Sequence, residues 1–241
     1  MIKTVFTDLD DTLWDTKANN KDAMHELFEI KGWADRLGNF EPWYAAYAAH
    51  NDHLWDEYRR GTVTKPELIL RRLREPLEPG LGTMSDDEIL GLNDLFLDLV
   101  GQKDKVVEGA KEMLRELKKD YKIVVLSNGF REVQTNKIKS AGLMEYFDLI
   151  VLSEDAGVNK PHKGIFDYAF LLSGAHPSES VMVGDSWAAD IEGALTAGIP
   201  AVWYNPGGEK AKRGSEFLKP VYEVKELGEV PPLLRTLNAF F

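Results

Sequence analysis

Apolar and β-branched residues gather in short runs at 3–8, 122–127, 149–153, 181–184 and 201–204. Runs such as KIVVLS over 122–127 are almost continuously apolar rather than alternating. Strands covered on both faces of a parallel sheet read this way. Between the later runs, apolar positions recur at helical spacing near 108–119, 130–141, 163–173 and 188–197. Gly142, Gly174 and Gly198 each follow a helical stretch, as C-terminal glycines do. The strand–helix alternation predicts an α/β fold with a Rossmann-like open parallel sheet and right-handed crossovers.

The stretch from 16 to 104 has a different pattern and no convincing strand. It reads as amphipathic helices around 16–31, 40–58, 64–75 and 85–100, broken by Gly and Pro. This block is too long for one crossover. The expectation is a core domain made of 1–15 and 105–241, with 16–104 inserted as an α-helical cap over the carboxyl edge of the sheet. Trp43, Tyr47, Leu54 and Tyr58 recur at helical spacing and are expected to fill the cap interior. The Gly- and Lys-rich segment 206–213 predicts a mobile loop.

Composition narrows the chemistry. Of 241 residues, 29 are basic and 40 acidic, a net charge of −11. That balance argues against a nucleic-acid backbone or an anionic membrane as main partner. It leaves room for a small anionic substrate, because a metal or a local Lys can reverse the field within one pocket. The chain has no cysteine, which excludes disulfides, thiolate catalysis and Cys-based zinc sites. Its first residues carry acids where a secretory signal needs an apolar stretch, and no apolar run approaches ~18 residues. A cytoplasmic protein with no membrane span, acting as a monomer or homodimer, is expected.

Ligands of open parallel sheets bind beyond the carboxyl ends of the strands, so the polar residues there matter most. The first run ends at Asp8 and Asp10, the second at Ser127–Asn128–Gly129. The third leads to Lys160–Pro161, and the fourth ends at Gly184–Asp185 with Asp190 close behind. Carboxylates gathered near one centre suit a hard, oxygen-seeking cation such as Mg²⁺. A hydroxyl, a backbone amide and a Lys suit an anion beside it, phosphate above all.

These segments, DLDDT (8–12), LSNG (126–129), NKP (159–161) and GDSWAAD (184–190), resemble in order and spacing the four motifs of the haloacid dehalogenase superfamily. The resemblance implies a Mg²⁺-dependent phosphomonoester hydrolase that works through an aspartyl-phosphate. Asp8 matches the nucleophile and Asp10 the general acid/base, whose backbone carbonyl also ligates the metal. Ser127 matches the phosphate-binding hydroxyl, with Asn128 beside it, and Lys160 the cation that offsets phosphoryl charge. Asp185 matches a metal ligand, and Asp190 a ligand or its support. Thr12 is expected to orient the first loop, and Asp11 has no assigned chemistry. Dehalogenase-type members lack an aspartate at the place of Asp10, so the resemblance points to phosphate chemistry.

The strings LWDT (13–16), NDHLWDEYRRGTVTKPEL (51–68), SNGFREVQ (127–134) and GDSWAADI (184–191) are similar to bacterial pyrimidine 5′-nucleotidases. That likeness implies nucleoside 5′-monophosphates as substrates, with His50 and Asn51 of the cap as candidates for reading the leaving group. A sugar-phosphate or phosphoglycolate phosphatase would share the core residues. A phosphomutase or a non-catalytic binding protein stands further off.

Overall fold

β1 (Thr4–Thr7) is buried at all four positions and lies inside a six-stranded sheet. The structure is a computed structural model that describes residues 1–211 and 219–239. Of the loop expected at 206–213, Lys212 and Arg213 lie outside the described residues. After β1 come the helices α1 (Thr16–Ile30), α2 (Ala34–Leu37), α3 (Phe40–Arg59), α4 (Lys65–Leu81) and α5 (Asp86–Gly101). The chain then runs through α6 (Ala110–Leu117), β2 (Lys122–Ser127), α7 (Arg131–Ser140), β3 (Leu149–Leu152), α8 (Ser153–Ala156) and α9 (Lys163–Ser173). β4 (Ser180–Gly184), a π-helical turn at Trp187–Ile191, α10 (Glu192–Thr196), β5 (Ala201–Tyr204), β6 (Val221–Val224) and α11 (Val230–Ala239) complete it. Among the described residues no helix is long and apolar enough to cross a membrane.

The strand order is β3-β2-β1-β4-β5-β6, and every neighbouring pair is parallel. Register lines up Leu149, Val124, Phe6, Met182, Ala201 and Val221 in one row across the sheet. These residues pack with Ile165, Phe166 and Ala169 of α9 and with Ala194 and Leu195 of α10. Side chains alternate along a strand, so the residue two after Phe6 returns toward that same face. That residue is Asp8, at the open end of the row. The chain order reverses between β1 and β4, the crevice where ligands of such sheets settle.

Two compact units divide the chain: Met1–Thr16 with Asp104 onward, and Lys17–Lys103. The second unit is helical. Phe28, Trp33, Phe40, Trp43 and Tyr47 form a run of ring contacts in it, such as Trp43 stacked on Tyr47 at 5.5 Å. Tyr47 and Leu54 are buried in its interior. Thr64 with Glu67 and Ser85 with Glu88 form capping boxes that start α4 and α5.

The elements differ from the sequence expectation in several places, and α2 and α11 were not expected at all. α4 runs on to Leu81 through Pro76 and Pro79 rather than stopping near 75. The third strand ends at Leu152, where Ser153 already begins a helix. β6 is an edge strand with only Val224 buried, too wet to show an apolar run.

Candidate active site

The end of β1 is tied to β4 as well as to β2. The Asp8 N–H donates to the Val183 carbonyl at 3.0 Å, which holds the Asp8 side chain at the mouth of the β1–β4 crevice. Lys160 reaches it from the loop before α9. Its Nζ donates to Asp8 Oδ1 and to Asp190 Oδ1, both at 2.7 Å. The Lys160 side chain is 2% exposed and that of Asp190 0%. A buried ammonium needs such partners.

Asn128 takes part in this arrangement in an unexpected way. Its Oδ1 accepts the Lys160 N–H at 2.8 Å, and its Nδ2 donates to the Lys160 carbonyl at 3.0 Å. The side-chain amide of Asn128 is thus spent on the main chain of Lys160, a pairing that does not involve its backbone N–H. It fixes the point from which the ammonium extends.

At the end of β4, Thr12 grips Asp185 twice. Its hydroxyl donates to Asp185 Oδ1 at 2.9 Å and accepts the Asp185 N–H at 3.0 Å. Asp190 Oδ2 accepts the Ser186 N–H at 3.0 Å. Gly184 makes room for this turn, since a Cβ there would sit 2.4 Å from Asp190 Oδ2. Asp8, Asp185 and Asp190 each bring a carboxylate oxygen within 4.8 Å of the others.

One ammonium does not neutralise three clustered carboxylates, two of them buried. Burial raises the Asp8 carboxyl well above its ordinary value; Lys160 opposes this, and Asp190, Asp185 and Asp10 add to it. Asp185 is pushed up to about 7, first by burial and then by Asp190 and Asp11. For Lys160, burial acts to lower the value, but Asp190 and Asp8 more than offset it and the ammonium is held more tightly than usual. Hard oxygen donors that repel one another fit a dication of the magnesium class.

Asp10 stands apart from that cluster. Lys137 Nζ donates to its Oδ1 and Gln134 Nε2 to its Oδ2, both at 2.7 Å. The Thr16 hydroxyl lies 3.2 Å from Oδ1. Burial alone would raise the Asp10 carboxyl, but Lys137, Gln134 and Thr16 bring it below its ordinary value. Gln134 also donates to Ser127 Oγ at 2.7 Å, and the Gly129 N–H donates to the same oxygen at 3.0 Å. Sequence reading missed Gln134 and Lys137. Gln134 closes the quoted SNGFREVQ string, but no motif logic singles it out.

The remaining candidates take other places. Asp11 adopts a left-handed backbone at φ 57, a conformation Asp tolerates better than most residues. Its Oδ1 accepts the Thr16 N–H at 3.1 Å, so it shapes the loop that carries Asp10. His50 and Asn51 lie on α3 of the helical unit. His50 Nε2 is 3.2 Å from the Arg71 carbonyl and 3.4 Å from Glu75, contacts that join α3 to α4. Asn51 Oδ1 is buried with no hydrogen-bond partner among the described residues.

Residues 2–198 match the family described as haloacid dehalogenase-like hydrolase. The pyrimidine 5′-nucleotidase YjjG of Escherichia coli (strain K12) is 34% identical over 195 residues, 78% of this chain and 80% of that one. The N-acylneuraminate-9-phosphatase of Homo sapiens is 37% identical over 255 residues, 98% of this chain and 95% of that one. The HAD-hydrolase YfnB of Bacillus subtilis, solved bound to magnesium, has a similar structure. Its TM-score is 0.84 at 26% identity, covering 97% of this chain and 99% of that one.

Proposed function

Since the chain belongs to the haloacid dehalogenase-like hydrolases and is a phosphatase, we propose that it hydrolyses nucleoside 5′-monophosphates, pyrimidine nucleotides first, through a phosphoryl group carried on Asp8. The observation that carries the chemistry is the split between two aspartates of one loop. Asp8 sits against Lys160 in the carboxylate cluster, whereas Asp10 sits outside it on Lys137 and Gln134. Two carboxylates in two environments can hold two roles.

In this reading an Asp8 oxygen attacks phosphorus while the bond to the leaving oxygen breaks. Asp10, which Lys137 and Gln134 hold ionised at rest and which takes up a proton from water when substrate binds, hands that proton to the leaving oxygen. Asp10 then takes a proton from water as the water oxygen attacks the aspartyl-phosphate, which frees phosphate and restores Asp8. Lys160 spreads the charge that builds on Asp8 and the phosphoryl oxygens. Ser127 is suited to hold a phosphate oxygen. Both acceptor sites of its hydroxyl are filled by Gly129 and Gln134, so it acts toward a ligand as a donor. Asp8 and Asp185, with Asp190 in reach, would hold the Mg²⁺. Bound there, the ion supplies positive charge to the transferring group.

The nucleotidase reading is supported by likeness to the E. coli nucleotidase. The human sialic-acid phosphatase relative, matched over nearly the whole chain, favours a sugar-acid phosphate as second reading. Selectivity is assigned to the helical unit. Asn51 carries an acceptor there that a ligand N–H would satisfy, and His50 neighbours it on α3. The test is kcat/KM side by side for UMP, dUMP, dTMP, AMP, a hexose phosphate, phosphoglycolate and N-acylneuraminate 9-phosphate. A sugar or sugar-acid phosphate ahead of every nucleotide by about tenfold would displace the nucleotidase reading, since apolar and stacking contacts discriminate by about that much or more.

A further inference from the structure

We propose that Gln134 and Lys137 of α7 are positioning residues, which hold both oxygens of Asp10 and couple the acid/base to the phosphate-binding hydroxyl of Ser127. The proposal rests on the reading of Asp8 as nucleophile and Asp10 as acid/base. Neither residue belongs to the four motifs.

The amide of Gln134 has two N–H groups and uses both. One points to Asp10 Oδ2 and the other to Ser127 Oγ, each at 2.7 Å. A carboxylate can only accept, so the amide nitrogen must face Asp10. The Gln134 Oε1 is left buried with no partner among the described residues. A side chain that leaves its own oxygen orphaned is being held by the other end. Gly129 clears its path, because a Cβ there would lie 2.2 Å from Gln134 Nε2.

Lys137 stands one helical turn further on, on the same face of α7. Its Nζ meets Asp10 Oδ1 at 2.7 Å and lies 4.4 Å from the centre of the Trp14 ring. Its side chain is 8% exposed and Trp14 is fully buried. The ammonium therefore has little freedom to leave. Gripped at both oxygens by one helix face, the Asp10 carboxylate has a fixed plane. The link through Gln134 also ties it to the hydroxyl that would hold the phosphoryl group.

Positioning of Asp10 matters most where a proton must move. p-Nitrophenolate leaves without being protonated, so formation of the aspartyl-phosphate from p-nitrophenyl phosphate needs no acid. Its hydrolysis still needs Asp10 as base. The experiment is rapid-mixing turnover of p-nitrophenyl phosphate by the full chain with Mg²⁺, comparing wild type with Gln134→Met, Lys137→Met and Lys137→Arg. For Lys137→Met, the first-turnover release of p-nitrophenolate is expected to keep its rate constant; Gln134→Met, which also frees Ser127 Oγ, slows that release, but less than it slows the steady rate. The steady rate that follows falls by about 10²-fold, the usual effect of a small misplacement of a catalytic group. Lys137→Arg restores part of the steady rate, since it keeps a donor for Asp10 Oδ1. Equal slowing of both phases, or no slowing, overturns the proposal and leaves α7 a purely structural support. Should one Met variant fail to fold, the other decides. Asp8→Asn in the same assay separates the two readings. First-turnover release persisting in that variant refutes the nucleophile assignment itself, whatever the α7 variants do.

Discussion

Replacing Lys160 by Met removes one charge from the most crowded part of the molecule. The ammonium lies 2.7 Å from both Asp8 Oδ1 and Asp190 Oδ1. At an effective dielectric near 20, each contact is a gross attraction of about 6 kcal/mol. Desolvation offsets much of that, and losing one partner of a buried pair costs about 3–5 kcal/mol net. The carboxylates left behind lie within 4.8 Å of one another, a mutual repulsion of about 3.5 kcal/mol or more at that dielectric. The penalty should therefore depend on pH. Without Lys160, the Asp8 carboxyl rises further above its unfolded value. A group whose folded value is raised binds more protons folded than unfolded, so stability falls as pH climbs above the unfolded carboxylate range.

Lys160→Met in chelator should thus lose about 3–5 kcal/mol against wild type at pH 8. At pH 5.5 the deficit should shrink by roughly 2 kcal/mol, because one carboxylate can hold a proton and escape the repulsion. Urea unfolding followed by tryptophan fluorescence reads this, with Trp203 donating to the Asp185 carbonyl beside the cluster. The same deficit at both pH values, or one under about 1 kcal/mol, would refute the picture of a lysine that neutralises buried carboxylates.

Asp8→Asn should abolish turnover and prevent binding of beryllium fluoride as a phosphoryl mimic, checked by calorimetric titration. Asp10→Asn should still bind that mimic while losing about 10²–10⁴ in kcat, the usual weight of a proton relay. Because Asp185 is pushed up to about 7, cation binding below that pH must expel a proton. Apparent Mg²⁺ affinity, measured by calorimetry, should fall as pH drops through that value. Gly184→Ala would drive a Cβ to 2.4 Å from Asp190 Oδ2 and should cost about 1–3 kcal/mol of stability by overpacking; an unchanged urea midpoint would argue against the tight turn.

Much of this protein was legible in one dimension because periodicity is a local property. The near-continuous apolar runs around Val5, Val124 and Val183 could belong only to strands covered on both faces. The polar residues that end them had to collect at one edge of a parallel sheet. Asp8, Ser127, Lys160 and Asp185 were singled out in that way, and the absence of cysteine removed the softer chemistries.

What the pattern could not carry was which side chains meet across 100 residues or more. Gln134 and Lys137 look like the solvated positions of any helix, yet they hold Asp10 across 124 and 127 residues of chain. Thr12 reads as a loop hydroxyl and grips Asp185 across 173. These pairings follow from the order β3-β2-β1-β4-β5-β6, which sets β2 and β4 on either side of β1. Strand order is decided by how whole layers pack, and a polar side chain takes its partner only once those layers are in place.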